Sequence, residues 1–325
     1  MSALSATAVA HPNIAFIKYW GNRDSGLRIP ANSSLSMNLA GLETRTQVTF
    51  SDSYERDGLS VNDESVPEEG VARVRLVLDL VRELAGFDCC AEITSHNNFP
   101  TGAGIASSAS AFAALSLAAS TAAGLDLDER ALSRLARRGS GSACRSIPTG
   151  FVEWQAGFGD DSSYAFSIAA PEHWDLVDCI AITSKAHKPT TSSEGHKLAD
   201  SSELQAARLA GAPARLDRCR QSILDRDFDR FAMVVELDSD LMHAVMMTSN
   251  PPLLYWQPAT VAVMHAVRAW RKSGLPVCYT IDAGPNIHVL CLGIIASRVR
   301  ALLEQIPGVM QVLPARPGGP ARLET

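Results

Sequence analysis

Apolar residues recur along this chain with two different spacings, and each spacing predicts its own kind of element. Short runs rich in β-branched and aromatic residues predict strands at residues 7–20, 35–39, 44–50, 89–95 and 151–154. Residues 71–84 instead place Val74, Leu78 and Val81 on one face with arginines opposite, which is the pattern of an amphipathic helix.

The rest of the chain continues this mixture. Helical spacing predicts helices at residues 107–123, 129–138, 206–224, 228–248, 258–273 and 297–306, and β-like runs predict strands at 176–184, 277–281 and 288–292. Asp128 is expected to cap the helix that follows it. The polar segment 185–197 is interpreted as a mobile loop, and the tail 314–325, rich in proline, glycine and arginine, is expected to be frayed.

The order of these elements indicates a fold class and a domain organisation. Strands and helices alternate without a strict βαβα rhythm, which favours an α+β fold. A chain of 325 residues is long for one small core. A soft boundary near Leu176 therefore predicts two domains, residues 1–175 and 176–325.

Composition and charge narrow the function classes. Hydrophobic residues make up 46% of the chain and charged residues 20%, as in an ordinary globular protein. The formal net charge of −6 argues against a general nucleic-acid-binding protein, for which a basic field is typical. No signal peptide and no apolar run of membrane-spanning length is visible, so we expect a cytoplasmic protein that binds neither nucleic acid nor membrane.

Cysteines and histidines show no metal-binding pattern. The seven cysteines include the adjacent Cys89 and Cys90 but no CxxC spacing, which favours reduced thiols over a disulfide framework. The histidines lack HExxH or paired spacing, so no structural zinc is expected. His11, His243 and His288 are interpreted as structural rather than catalytic residues.

A first candidate for chemistry is the loop between the predicted strand 89–95 and the helix 107–123. Pro100, Gly102 and Gly104 would let the backbone approach a ligand closely, and Ser107 and Ser108 would add hydroxyls at the positive end of the helix. This combination suits a polyphosphate, although it is not a Walker A sequence because no GK[ST] follows. The alternative is a capping serine on a tightly packed helix.

A second glycine-spaced serine loop follows the helix 129–138. It carries Ser140, Ser142 and Arg145, and an arginine can make a forked contact with a carboxylate or a phosphate. On local evidence, an ordinary polar surface loop is an equally good interpretation.

Two single charged residues complete the set. Asp282 follows a β-run and precedes Ala-Gly-Pro-Asn, so it is either a turn-forming side chain or a general base. Lys18 lies in an apolar strand, where it either extends its charge to solvent at an edge or faces a phosphate.

Taken in chain order, several segments together resemble one family, the diphosphomevalonate decarboxylases of the GHMP kinase superfamily. The segments are Ile17-Lys18-Tyr19-Trp20-Gly21, residues 30–36, 99–108, 137–146 and 150–154, Met242-His243-Ala244, Asn250-Pro251-Pro252 and Asp282-Ala283-Gly284-Pro285-Asn286. Each motif is weak alone, but the ordered set is specific and spans most of the chain. The resemblance implies a GHMP kinase fold with a ribosomal-protein-S5-like amino-terminal domain, a ferredoxin-like carboxy-terminal domain and an active site in the cleft between them.

The resemblance also implies a reaction. ATP, with Mg²⁺, would phosphorylate the tertiary 3-hydroxyl of a phosphorylated mevalonate, and the new phosphate would leave as the carboxylate is lost as CO₂. Because hydroxide is a poor leaving group, phosphorylation makes this departure feasible. The enzyme would act on a small molecule in isoprenoid biosynthesis, and homodimers are common in the family.

The family's functional residues map onto matching positions here. Asp282 would orient or deprotonate the 3-hydroxyl, Lys18 would stabilise phosphoryl charge, and Arg145 would bind the substrate carboxylate. The implied substrate-binding residues are Asn13, which would support Arg145, and Tyr19, Ser140, Ser142, Ser192 and Ser193. The implied ATP-binding residues are Pro100, Gly102, Gly104, Ser107 and Ser108, with Ser107 also the candidate Mg²⁺ ligand.

Two positions depart from the family pattern. Asn22 stands where the family usually has a lysine that meets the diphosphate, and Glu194-Gly195-His196 replaces a lid segment that typically ends in Gly-Met. Loss of one cation would suit a substrate with one phosphate fewer, so a phosphomevalonate decarboxylase is an alternative. A kinase that releases ADP without CO₂ is another, and a non-catalytic binding protein would be expected to lack Lys18, Arg145 or Asp282.

Overall fold

The structure is a computed structural model that describes residues 4–99, 107–186 and 190–324. Its strands are β1 (Leu4–Ala10), β2 (Asn13–Ile17), β3 (Asn22–Asp24), β4 (Ile29–Pro30), β5 (Ser34–Ala40), β6 (Thr44–Ser51), β7 (Gly58–Val61), β8 (Glu64–Ser65), β9 (Cys90–Asn97), β10 (Phe151–Gln155), β11 (Tyr164–Ala169), β12 (Leu176–Ile182), β13 (Val277–Thr280), β14 (Ile287–Leu292), β15 (Gln311–Pro317) and β16 (Arg322–Leu323). Its helices are α1 (Glu68–Ala85), α2 (Ser107–Ala122), α3 (Glu129–Gly139), α4 (Ser192–Leu198), α5 (Gln205–Asp225), α6 (Phe228–Met247), α7 (Pro258–Lys272) and α8 (Ala296–Glu304). Sheet and helix are mixed throughout, as the predicted α+β class requires.

One sheet has the strand order β16-β1-β6-β9-β7-β8. Helix α2 packs on it, and alanines such as Ala113 and Ala118 are fully buried in the core that α2 shares with β6. Small side chains let the helix lie close to the strands, which brings its first residue, Ser107, to the edge of the cavity described below. Asp128 caps α3 as predicted, accepting a hydrogen bond of 2.7 Å from the amide of Ala131.

A second sheet has the order β11-β10-β5-β15-β12-β14-β13, with β2 also paired to β5. Its interior strand β12 is buried on both faces, because alternate side chains pack into two different hydrophobic cores. Ile180 and Ile182 belong to the core beneath α5 and α6, whereas Cys179 and Ala181 belong to the core beneath α7 and α8. This double burial explains the continuous apolar run in the sequence.

The prediction of a frayed carboxy-terminal tail is wrong. Strand β15 lies inside the second sheet, with Pro314 opposite Cys179 of β12 and Pro317 opposite Leu39 of β5, and β16 pairs with β1. Proline and glycine in the tail suggested disorder, but pairing with strands far away in the sequence decides its conformation.

The prediction of a mobile loop over 185–197 is wrong for the part that forms α4. Thr191 caps this helix by accepting a hydrogen bond from the amide of Glu194, and the Glu194 carboxylate accepts one of 2.8 Å from the amide of Thr191. This reciprocal pair is a capping box.

The described residues contain no helix that is both long enough and apolar enough to span a membrane. The domain division at residue 176 stays a prediction. Strand β15 follows that boundary in the sequence but joins β5, which precedes it, to β12.

Candidate active site

A single cavity brings together most of the residues singled out in the sequence. Lys18 lies at the end of β2, Arg145 in a 3₁₀ turn over Gly141–Ser146, and Asp282 just after β13. The other predicted site residues that line it are Tyr19, Ser107, Ser108, Ser140, Ser142, Ser192 and Ser193. Residues from distant parts of the chain therefore converge on one place. Pro100, Gly102 and Gly104 lie outside the described residues.

The Lys18 ammonium and the Asp282 carboxylate form the centre of this cavity. Nζ of Lys18 lies 2.5 Å from Oδ1 of Asp282, and Lys18 is 1% exposed while the Asp282 side chain is 28% exposed. Burial lowers the pKa of Lys18, and Asp282 opposes that shift only in part. Burial would raise the pKa of Asp282, but the Lys18 charge outweighs it and holds that pKa below its usual value. Asp282 is thus a partly exposed carboxylate that stays ionised.

A buried polar network fixes the backbone of Lys18. Its amide donates a 2.6 Å hydrogen bond to Asp238 of α6, and its carbonyl accepts bonds from Arg208 at 2.8 Å and from Asn32 at 3.0 Å. Asp238 in turn pairs with Arg215 at 2.6 Å, so helices α5 and α6 both hold the end of β2. The ammonium is therefore positioned by the core.

Helix α6 also holds the strand that ends at Asp282. Ser239 Oγ accepts a 3.0 Å hydrogen bond from the amide of Ile281, and the His243 ring meets the Ile281 carbonyl at 3.3 Å. Burial and the nearby Lys18 charge lower the pKa of His243 to about 3, so this ring is neutral. It lies 5.0 Å from the Trp256 ring. His243 therefore supports the site from behind, in the structural role predicted for it.

Arg145 is almost fully buried and is held from two sides. Its Nε donates to Asn13 at 3.2 Å and its Nη1 donates to Ser34 at 2.6 Å, while the guanidinium lies 5.8 Å from the Trp154 ring centre. Nη2 has no hydrogen-bond partner among the described residues and is available to the cavity that Arg145 lines. Asn13 is not a lining residue, so the structure places it behind Arg145 and not in the cavity.

Gly141 is required by the close approach of Tyr19. A Cβ at Gly141 would lie 2.6 Å from the Tyr19 ring, which leaves no space for a larger residue. Ser140 lies directly before this contact, and its Oγ is 3.3 Å from Oγ of Ser108 at the start of α2. The two serine loops of the sequence thus meet on one side of the cavity.

Helix α4 also lines the cavity. Ser192 and Ser193 line the cavity from its first turn, and the His196 ring lies 4.1 Å from that of Tyr19. The Nδ1 of His196 accepts a 3.0 Å hydrogen bond from the amide of Gly21. The departure from Gly-Met in this segment therefore places an aromatic ring against the β2 end.

Sequence reasoning missed two arginines, Arg28 and Arg73, that line the same cavity. Arg28 lies in the turn between β3 and β4, and Arg73 lies on α1. The arginines of α1 were interpreted only as its polar face. The feature that identifies them is a group of basic side chains around one carboxylate. This group forms only in the folded protein, because its members are far apart in the sequence.

The residues present suit a polyanionic ligand such as ATP with its magnesium. Four cationic side chains line the cavity, Lys18, Arg28, Arg73 and Arg145, whereas Asp282 is the single carboxylate among the described lining residues. The positive end of α2 opens at Ser107, whose hydroxyl is of the type that can bind a phosphate or Mg²⁺. No group of three or more His, Cys, Asp or Glu side chains suited to a metal occurs in the described residues.

Comparison with known proteins agrees with this geometry. Residues 10–165 match the family model of the diphosphomevalonate decarboxylase-like N-terminal domain, and residues 179–313 match that of the mevalonate 5-diphosphate decarboxylase C-terminal domain. The chain belongs to the diphosphomevalonate decarboxylase family. Diphosphomevalonate decarboxylase of Candida albicans is 38% identical over 87% of this chain and 83% of the relative. Phosphomevalonate decarboxylase of Haloferax volcanii is 37% identical over 88% of each chain.

The fold agrees as well. A solved structure of MDDEF in complex with MVAPP, AMPPCP and magnesium superposes with a TM-score of 0.94 at 37% identity, covering 99% of both chains. The GHMP-type fold predicted from the family resemblance is thereby confirmed.

Proposed function

We propose that the protein catalyses the ATP-dependent decarboxylation of a phosphorylated mevalonate, converting mevalonate 5-diphosphate to isopentenyl diphosphate with release of ADP, phosphate and CO₂. The observation that carries this proposal is the 2.5 Å pair of Lys18 and Asp282 beside Arg145. A proton acceptor, a cation for phosphoryl charge and a guanidinium for a carboxylate are then available in one cavity. The family membership supports the same activity.

Each of these side chains has a role in the proposed reaction. ATP supplies, when bound, the phosphoryl group that converts the 3-hydroxyl into a leaving group. Asp282 accepts the hydroxyl proton, and the buried Lys18 ammonium stabilises the negative charge of the group in transfer. Arg145 holds the substrate carboxylate. When phosphate leaves C3, the C1–C2 bond breaks, its electron pair forms the C2–C3 double bond, and CO₂ is released.

A substrate with one phosphate instead of two is a specific alternative. Asn22 brings no positive charge, and its Oδ1 accepts a 2.5 Å hydrogen bond from the Tyr19 hydroxyl. This observation favours mevalonate 5-phosphate, which is consistent with the phosphomevalonate decarboxylase among the relatives.

Product analysis with both mevalonate phosphates tests these alternatives. We expect ADP, phosphate and CO₂ to appear in equal amounts, with a higher kcat/KM for the 5-diphosphate. ADP without CO₂ would instead indicate a kinase, and a large preference for the 5-phosphate would assign the alternative substrate.

The cytoplasmic location and the homodimer predicted from the sequence are part of the same proposal. Sedimentation velocity of the purified protein would measure the oligomeric state, for which we expect a mass of two chains.

A further inference from the structure

A second group of cations lies in the cavity apart from the Lys18–Asp282 pair. Arg28 and Arg73 both line the cavity, and among the described residues neither forms an ion pair with a carboxylate. Two adjacent like charges repel each other, so an arrangement of this kind is stabilised when an anion lies between them.

Both guanidinium groups are held by neighbouring backbone carbonyls at the end of α3. Nε of Arg28 donates 2.9 Å to the carbonyl of Arg138, and Nε of Arg73 donates 3.0 Å to the carbonyl of Gly139. The Arg73 guanidinium also lies 4.8 Å from the centre of the Phe112 ring. Both hydrogen bonds use Nε and leave the terminal nitrogens out of these two contacts. Ser140, the next residue after Gly139, also lines the cavity.

The two arginines lie close enough to influence each other. Burial, and secondly the charge of Arg28, lower the pKa of Arg73 to about 10. Arg28 also acts on Tyr19, since its charge opposes the rise that burial causes in the pKa of that hydroxyl. Tyr19 acts on Arg73 as well, and all three side chains line the same cavity.

The charges of the lining residues indicate which anion Arg28 and Arg73 can bind. Lys18 is already paired with Asp282, and Arg145 is assigned to the substrate carboxylate. Arg28 and Arg73 are the remaining cations among the described lining residues. One phosphate monoester carries about −1.5 to −2 at neutral pH, so the two guanidinium charges balance one terminal phosphate group.

We propose that Arg28 is a specificity-determining residue whose guanidinium binds the terminal phosphate of the substrate's 5-diphosphate, in place of a cation at Asn22. This inference rests on the proposed function. Asn22 and Arg28 belong to the same β3–β4 hairpin, where Asn22 pairs with Pro30. Of the two arginines in this hairpin, Arg28 lines the cavity and Arg23 does not.

The backbone at Arg28 is consistent with such a role. Its φ of +52° lies in the left-handed region, which residues other than glycine, asparagine and aspartate rarely occupy. Such conformations cost of order 1–3 kcal/mol and concentrate at ligand-binding sites. Arginine occupies this position although asparagine or glycine would suit the backbone better.

The test compares kcat/KM for mevalonate 5-diphosphate and 5-phosphate in the wild type, Arg28→Asn and Arg28→Lys. Asparagine tolerates the positive φ, so the hairpin should keep its shape. We expect Arg28→Asn to lower kcat/KM for the 5-diphosphate by roughly 10- to 100-fold, the loss typical of hydrogen bonds to charged groups. The 5-phosphate should lose less than about threefold, and Arg28→Lys should lie between wild type and Arg28→Asn.

Arg23→Asn is the matched control. Arg23 is exposed on β3, donates 2.7 Å to the carbonyl of Gly157 and does not line the cavity, so both substrates should be unaffected. Thermal unfolding of every variant monitors folding, and if Arg28→Asn does not fold, the substrate ratio of Arg28→Lys decides.

Several results would overturn the proposal. If Arg28→Asn lowered kcat/KM equally for both mevalonate phosphates, Arg28 would not bind the terminal phosphate. The same conclusion would follow if the variant raised the KM for ATP and left the ratio of the two kcat/KM values unchanged. It would also follow from a wild type that turns over only the 5-phosphate. Failure of the proposed function is separate, because it would show as absence of CO₂ from the wild type with either substrate.

Discussion

The Lys18 ammonium and the Asp282 carboxylate keep each other charged in surroundings where burial disfavours both charges. Removing the carboxylate alone tests its role. We expect Asp282→Asn to reduce ATP-dependent CO₂ release by about 10²–10⁴-fold, the usual contribution of a positioned acid or base. Binding of a non-hydrolysable ATP analogue, measured by calorimetry, should persist.

Asp240→Asn is a suitable control for that variant, because the Asp240 carboxylate contacts Tyr279 and Arg268 and does not line the cavity. Its turnover should match the wild type. If Asp282→Asn kept wild-type turnover, Asp282 would not be the proton acceptor.

The lowered pKa of Lys18 predicts the alkaline side of the pH–rate profile. The charged form is lost as pH rises through the pKa, and burial places that pKa below the ordinary lysine value of about 10.4. We therefore expect kcat at saturating substrate to fall at a lower pH than an ordinary lysine would give. In Lys18→Arg, the remaining kcat should not fall in this alkaline range, since a guanidinium stays charged. An unchanged alkaline limb in Lys18→Arg would assign the titration to another group.

Motif matching at the level of single residues found the reacting groups but not the arginines around them. Asp282, Lys18 and Arg145 each stand in a recognisable local segment. Arg28 and Arg73 do not, because an arginine in a turn or on the polar face of a helix has the same local pattern whether it faces solvent or a cavity. Only the packing of α1 and the β3–β4 hairpin distinguishes the two cases.

At the level of elements, the sequence around α4 contains a local pattern that indicates a helix start, but the polar composition of the segment favoured a loop. The serine and threonine run at 190–193 suggested a mobile loop, although Thr191-x-x-Glu194 is a capping-box sequence that indicates a helix start. The helix then packs against a β2 end that lies more than 170 residues away in the sequence, as the Gly21–His196 bond shows. No local pattern gives that contact.

Gly195 is the point at which α4 packs most tightly. A Cβ there would lie 2.5 Å from Cη2 of Trp20 and 3.3 Å from Leu253, and the Trp20 ring is 2% exposed and cannot move aside. Gly195→Ala should therefore displace α4 from the cavity. An overpacking cost of about 1–3 kcal/mol predicts a rise in KM of roughly 5- to 100-fold.

Steady-state kinetics with both ATP and the mevalonate phosphate would measure this rise. Gly159→Ala is the control, because a Cβ at Gly159 would meet no heavy atom within 4 Å. Unchanged KM values in Gly195→Ala would mean that α4 in this position does not contribute to ligand binding.

At the scale of the whole molecule, the carboxy-terminal strands connect the two predicted domains. The α+β class and the positions of α1–α3 and α5–α8 followed from the sequence pattern, but the position of β15 between β5 and β12 did not, because its partners are remote in the sequence. Strands from both sides of residue 176 belong to the same hydrogen-bonded sheet, which couples the two halves mechanically. We therefore expect the two predicted domains to unfold together.

This coupling predicts a single unfolding transition. We expect far-ultraviolet circular dichroism and tryptophan fluorescence to give coincident denaturation curves, as in a two-state protein. Removing residues 321–325 takes away the short β16 pairing with β1, the exposed ion pairs of Arg322 and Glu324, and the Ala321–Ile147 backbone bond, and should leave a folded protein with a lower Tm. Removing residues 311–325 deletes β15, which takes away the pairing along one edge of β12 and the pairing with Leu39 and Ala40 of β5, and should prevent stable folding of both halves. Two separate transitions in the full chain, or a folded amino-terminal half in the longer truncation, would instead show that the domains are independent.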